Sequence, residues 1–84
     1  MVYKRKNKGT CSLSTTVELD GDVIRSIRFE GGCNGNLKGI ASLCEGQKAQ
    51  DVIGRLKGTR CGMKATSCPD QLALALEEAL RQQN

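Results

Sequence analysis

The sequence lacks histidine and tryptophan altogether, and it contains one proline and only two aromatic residues, Tyr3 and Phe29. The absence of histidine excludes mixed cysteine–histidine zinc sites and removes the commonest general base of enzymes. With so few aromatic side chains, the chain has no platform on which nucleic-acid bases could stack. We therefore do not expect nucleic-acid binding, although the formal net charge is +4.

The length of 84 residues predicts a single domain over residues 1–84, because separate hydrophobic cores require a considerably longer chain. A basic N-terminal segment, residues 1–8, is expected to be solvated, and its charged residues are Lys4, Arg5, Lys6 and Lys8. No apolar leader follows Met1, and no apolar run is long enough to span a membrane. These features predict a cytoplasmic protein that does not associate with membranes.

Hydrophobic periodicity predicts three strands at most and three helices. One face of a strand over residues 11–19 should carry Cys11, Leu13, Thr15, Val17 and Leu19. The Asp-Gly pair that follows predicts a type I′ hairpin into a second strand over residues 23–29, and residues 2–4 could add an edge strand. Helical spacing predicts helices over about residues 34–45 and 49–57, and a third from Pro69 onward. The expected fold class is α+β, with a two- or three-stranded antiparallel sheet packed against three helices.

Five cysteines in a small cytoplasmic chain are more typical of metal binding or catalysis than of disulfides. Four of them lie in loops or at the ends of predicted elements: Cys11, Cys33, Cys61 and Cys68. Cys44 falls instead on the apolar stripe of the first helix, where a small hydrophobic residue is useful. Four thiolates can complete a zinc shell or hold an iron–sulfur cluster. The spacing contains no CxxC pair, so buried core thiols are the alternative interpretation.

The cysteines at the starts of two predicted helices are candidates for catalysis as well as for metal binding. Cys33 and Cys68 each precede or open a predicted helix, where backbone N–H groups and the helix dipole favour a thiolate. Neither has an evident side chain to accept its proton, so catalysis by this chain alone is the weaker hypothesis. Asp70 could serve as a base, but Ser67 and Asp70 have the spacing of a capping box and are expected to cap the last helix.

Several segments resemble the TSCPD domain family: "TCS" at 10–12, "FEGGCNGNLKGI" at 29–40 and "LKGTRCGMKATSCPDQLA" at 56–73. The resemblance spans nearly the whole chain, and "TSCPD" is the signature that gives the family its name. In that family the same domain occurs at the C-terminus of adenosylcobalamin-dependent ribonucleoside-diphosphate reductases, which implies a connection with DNA synthesis. A chain of this length cannot supply the barrel, cobalamin site and nucleotide sites of such an enzyme. The resemblance therefore implies an accessory or detached module, with a ribonucleotide reductase as a possible protein partner.

The order of motifs also resembles the NifU/IscU-type iron–sulfur scaffolds, with "GGC" entering a helix that contains "IAS", then "EGQKAQDVIGRL", and a cysteine opening an Ala/Leu-rich helix. By position, the cysteine ligands of those scaffolds correspond to Cys11, Cys33 and Cys68. Cys61 adds a fourth thiol. Two departures matter, because Leu13 occupies the region of the scaffold's aspartate and Ser67 replaces the histidine before its last cysteine. Both favour a closed four-sulfur site that keeps its metal.

Taken together, these observations predict a NifU/IscU-like, metal-binding accessory or regulatory module associated with ribonucleotide reduction. Its zinc ligands are predicted to be Cys11, Cys33, Cys61 and Cys68. One alternative is an iron–sulfur cluster scaffold or carrier, which a visible absorption band would distinguish from zinc. Another is a thiol redox module of the reductase, in which Cys61 and Cys68 exchange a disulfide.

Overall fold

The computed structural model describes residues 1–7, 9, 12–31, 34–58 and 66–83, with the side chains of all of these except residues 12 and 34–36. Its elements, in chain order, are β1 (Val2–Lys6), β2 (Ser12–Asp20), β3 (Val23–Gly31), α1 (Asn34–Cys44), α2 (Ala49–Leu56) and α3 (Cys68–Gln83). The strands form one antiparallel sheet in the order β1-β2-β3. The predicted α+β class is thus confirmed, with three strands.

The hairpin between β2 and β3 has the predicted position but a different turn type. Asp20 lies opposite Val23, so the loop consists of Gly21 and Asp22 alone. Gly21 has a φ of 63°, whereas no non-glycine residue among those described has a positive φ. A two-residue loop with positive φ only at its first position is a type II′ turn, not the type I′ turn that the Asp-Gly pair predicts.

The inner face of β2 departs from strict alternation at one position. Three of the residues predicted to face inward are buried: Thr15, Val17 and Leu19. Leu13 is wrongly predicted, since 67% of its surface is exposed. Ser12 lies opposite Gly31 and Ser14 opposite Glu30, which leaves Leu13 as an extra residue in β2. This β-bulge turns Leu13 away from the core, while Thr15, Val17 and Leu19 keep their predicted facing and the neighbouring Ser14 is buried as well.

The helices cover the inner face of the sheet. Helix α3 packs against β1, β2 and α2, and α1 packs against β3. The largest fully buried side chains come from the sheet and from α3: Val17, Leu19, Ile24, Leu72, Leu76 and Thr15. The predicted apolar stripes of α1 and α2 are confirmed, because Leu37, Ala41, Cys44, Ala49 and Val52 are all buried. Among the described helices, none is both long enough and apolar enough to cross a bilayer.

The basic N-terminal segment belongs largely to the sheet, contrary to the expectation of a solvated run. Strand β1 pairs with β2 from Val2 to Lys6, two residues further than predicted. Lys4 and Lys6 are exposed as expected. The side chain of Arg5 is only 18% exposed and forms an ion pair with Glu78 of α3. Strand alternation explains the difference, because it turns every second residue toward the helices.

Candidate metal centre

Two of the five cysteines fall among the described residues. Cys68 is the first residue of α3 and is half-buried. Cys44 lies in the core, where burial raises the pKa of its thiol, as expected for a packing residue. The other predicted ligands, Cys11, Cys33 and Cys61, lie outside the described residues. Within the described ranges, no three cysteine or acidic side chains group closely enough to hold a metal ion.

The start of α3 is built by side-chain capping. The hydroxyl oxygen of Ser67 accepts a hydrogen bond from the backbone N–H of Asp70 at 3.1 Å, and the Ser67 carbonyl accepts from the N–H of Gln71 at 2.9 Å. Ser67 is therefore the N-cap residue, and Cys68 occupies the first helical position. The helix begins one residue earlier than predicted, so Pro69 is its second residue.

The bond from the Asp70 N–H to the Ser67 hydroxyl is one half of the predicted capping box. The carboxylate of Asp70 also joins two other parts of the chain. One oxygen, Oδ1, accepts the backbone N–H of Gly58 at 2.7 Å. The other, Oδ2, accepts the hydroxyl of Thr66. Gly58 and Thr66 flank residues 59–65, the stretch that contains Cys61. Asp70 lies two residues after Cys68. Its buried carboxylate therefore binds both residues that flank the segment containing Cys61.

The environment of Asp70 keeps its carboxyl group ionised. Burial by itself favours the neutral acid and would raise the pKa. The hydrogen bonds from Thr66 and Gly58, with the positive charges of Lys57 and Arg5, outweigh burial and lower the pKa of Asp70 below its ordinary value. Because both carboxylate oxygens already accept hydrogen bonds, Asp70 is suited to anchoring the chain and not to accepting a proton in catalysis.

Two further contacts bring the segments next to Cys11 and Cys33 into this region. Ser12, which follows Cys11, lies opposite Gly31, two residues before Cys33. Gly9, two residues before Cys11, approaches Thr66 so closely that a β-carbon added there would lie 3.0 Å from Cγ2 of the threonine. The φ of Gly9 is 73°, a conformation that suits glycine.

A polar network connects Thr66 to strand β1. The side-chain amide of Gln71 donates to the Thr66 hydroxyl at 3.0 Å, and a guanidinium N–H of Arg5 donates to the Gln71 oxygen. Arg5 Nε also donates to Glu78 Oε2 at 2.7 Å, while the Tyr3 hydroxyl donates to Glu78 Oε1 at 2.6 Å. The start of α3 is therefore held by the sheet as well as by its own capping residues.

The same network shifts the acidity of its two outer members. Burial would raise the pKa of Glu78, but the hydrogen bonds from Tyr3 and Arg5 prevail and lower it. In return, the hydrogen bond to Glu78, followed by burial, raises the pKa of Tyr3 above 10.0. Both shifts keep the tyrosine as donor and the glutamate as charged acceptor at neutral pH.

The fold and this region define a small α+β domain whose last helix opens with a cysteine and is anchored to a second cysteine-containing segment. A family model for the TSCPD domain matches residues 1–80. The chain therefore belongs to the TSCPD domain family. No curated protein and no solved structure is detectably similar to it, so the NifU/IscU-type resemblance stays a prediction.

Sequence reasoning missed the residues that assemble this region. It treated Asp70 only as a cap and Arg5 as a solvated charge, and it assigned no contact to Tyr3. The partners of Arg5 in α3 are 66 and 73 positions away along the chain, and no local periodicity marks such a pair. The one available signal was the alternation of β1, which places Tyr3 and Arg5 on the same face.

Proposed function

We propose that this protein is a cysteine-ligated metal-binding module, in which Cys11, Cys33, Cys61 and Cys68 together hold one zinc ion. One set of contacts supports this most directly: residues next to Cys11 contact residues next to Cys33 and Cys68, and both residues that flank the Cys61 segment bond to Asp70. The cysteine left out of the set, Cys44, is the one that lies in the core.

Chain connectivity supports the convergence. A polypeptide spans at most about 3.3–3.6 Å per residue, so a residue cannot lie far from a described neighbour one or two positions away. The pairing of Ser12 with Gly31 favours proximity of Cys11 and Cys33, and the approach of Gly9 to Thr66 favours proximity of Cys11 and Cys68.

Cys61 is constrained differently, by the carboxylate of Asp70. Both ends of its segment, Gly58 and Thr66, hydrogen-bond to that carboxylate, and Asp70 follows Cys68 by two residues. Fixing Gly58 and Thr66 at one carboxylate removes much of the entropy that metal binding would otherwise have to overcome. Asp70 itself is not assigned as a ligand, since both of its oxygens are engaged.

The donor set suits a structural zinc site. Four thiolates complete the tetrahedral shell of zinc and leave no position open for substrate. Such a site stabilises a small domain because its binding free energy adds to the free energy of folding. We therefore assign the metal a structural role and do not assign catalysis to this chain.

Membership of the TSCPD domain family extends the proposal to a biological setting. We infer an accessory or regulatory module that acts in the cytoplasm in connection with ribonucleotide reduction, with a ribonucleotide reductase as its protein partner. The proposal assigns this domain an accessory role only.

Elemental analysis and thiol titration of protein purified without oxygen test the metal site. We expect one zinc per chain and its loss in Cys68→Ala, whereas the matched variant Cys44→Ala should retain it. Circular dichroism of both variants would show whether they remain folded. Metal-free, folded wild-type protein with five titratable thiols would refute the proposal. Stoichiometric iron with a visible absorption band would replace zinc by an iron–sulfur cluster.

A further inference from the structure

An open apolar groove lies between α1 and α2. Its volume is about 450 Å³, and its floor is formed by Ile40, Cys44, Val52 and Leu56. Leu43 stands at its edge with 79% of its surface exposed, the largest exposure of any large hydrophobic residue described. The surface therefore presents a protruding apolar side chain directly beside an apolar cavity.

The rim of the groove carries one charge of each sign. Asp51 and Arg55 both line it and lie one helical turn apart on α2. If a two-fold axis passes between them, perpendicular to α2, Asp51 of one copy faces Arg55 of the second copy, and the reverse. The shape of the surface is self-complementary as well, because the Leu43 side chain of each copy can enter the groove of the other copy. Both features fit an isologous interface, in which one patch binds itself.

We propose that two copies of this chain form a symmetric dimer through the α1–α2 groove. The Leu43 side chain of each copy packs into the cavity of the other, and two Asp51–Arg55 pairs flank the contact. A second copy accounts for the exposed leucine and for the paired rim charges together, whereas a small apolar ligand in the cavity would leave the two rim charges without a role. The inference is independent of the proposed metal site, since Cys68, the proposed ligand that the structure describes, does not line the groove.

Sedimentation equilibrium over a range of protein concentrations tests the dimer. We expect wild-type protein to reach twice the chain mass of 9.0 kDa. Leu43→Glu should weaken association at least about tenfold, because each dimer loses two buried leucines and gains two buried charges. Leu13→Glu is the matched control, since Leu13 is also exposed but does not line the groove. Circular dichroism verifies that both variants are folded.

A charge-exchange experiment tests the orientation of the two copies. Asp51→Arg places two positive charges on each α2, and Arg55→Asp places two negative ones, so each variant alone should be monomeric. An equimolar mixture should recover the dimer, because every interfacial pair is then of opposite sign. Monomeric wild-type protein at all concentrations, a fully dimeric Leu43→Glu variant, or a mixture that stays monomeric would each overturn the proposal.

Discussion

Replacement of Asp70 by asparagine is the most informative single perturbation of the region at the start of α3. The side chain keeps its shape but loses its charge. Asp70 is 8% exposed, and its carboxylate accepts hydrogen bonds from Gly58 and Thr66. An asparagine amide retains one acceptor oxygen and turns an NH₂ group toward the second donor. We therefore expect one charge-assisted hydrogen bond to be lost and the other to be weakened.

The size of the effect follows from the two hydrogen bonds. A hydrogen bond to a charged group contributes about 1.5–3 kcal/mol, so losing both sets an upper limit of about 3–6 kcal/mol. Two factors reduce this. The variant no longer buries a charge, and the Thr66 hydroxyl can rotate to accept from the new amide. The free energy of unfolding should therefore fall by about 2 kcal/mol in Asp70→Asn.

Urea unfolding of metal-depleted protein measures this loss without a contribution from bound metal. The midpoint should fall while the slope with denaturant stays unchanged, which indicates altered stability of the same folded state. Asp22→Asn, in the exposed hairpin turn, is the control and should change stability by less than about 0.5 kcal/mol. A similarly small effect in Asp70→Asn would refute the anchoring role of the carboxylate.

The pH dependence gives this prediction a second readout. The pKa of Asp70 in the folded chain is lowered below its ordinary value of 3.8, because its hydrogen bonds and nearby positive charges outweigh burial. The stabilisation is therefore fully present above pH 3.8 and is lost as the pH falls through the folded pKa. The difference between wild-type protein and Asp70→Asn should shrink in that acidic range, and a constant difference would contradict the role assigned to the charge.

The remaining predictions concern the contacts around this anchor. Tyr3 is the only tyrosine, so ultraviolet titration reports on it alone. We expect the tyrosine to ionise above pH 10.0 in wild-type protein and closer to pH 10.0 in Glu78→Gln. Equal titration curves would contradict the hydrogen bond between Tyr3 and Glu78. Gly9→Ala should lower stability by about 1–2 kcal/mol for its positive φ and by a further amount for its approach to Thr66. Gly21→Ala should lose stability only through its positive φ, because nothing lies within 4 Å of its added β-carbon. Equal losses of stability for the two variants in urea unfolding would argue against the close approach of Gly9 to Thr66.

Much of the fold could be predicted because its signals are local. The hairpin follows from alternation on either side of an Asp-Gly pair, and each helix follows from apolar residues spaced three and four apart. The type of turn and the bulge at Leu13 could not be predicted, because both depend on the register between β2 and β3. A shift of one residue in that register moves a side chain from the core to solvent without changing the local composition.

The candidate site also has a part that the sequence predicts and a part that it does not. The burial of Cys44 in the core could be predicted, because its position on the apolar stripe of a helix is a local property of the sequence. The hydrogen bond from Gly58 to Asp70 could not be predicted, because it joins residues 12 positions apart and no local periodicity marks such a pair. The basic run over residues 4–8 wrongly predicted a solvated Arg5. Its side chain faces inward and pairs with the carboxylate of Glu78 in α3.

The segment "TSCPD", residues 66–70, gains a physical explanation from these contacts. Thr66 donates to the carboxylate of Asp70, and Ser67 caps the helix that Cys68 opens. Pro69 can occupy the second helical position because the backbone N–H groups of the first turn have no partner within the helix. Four of the five residues thus fix where the helix begins and what is tied to it. In the proposed metal site, Cys68 is the ligand whose position these contacts fix.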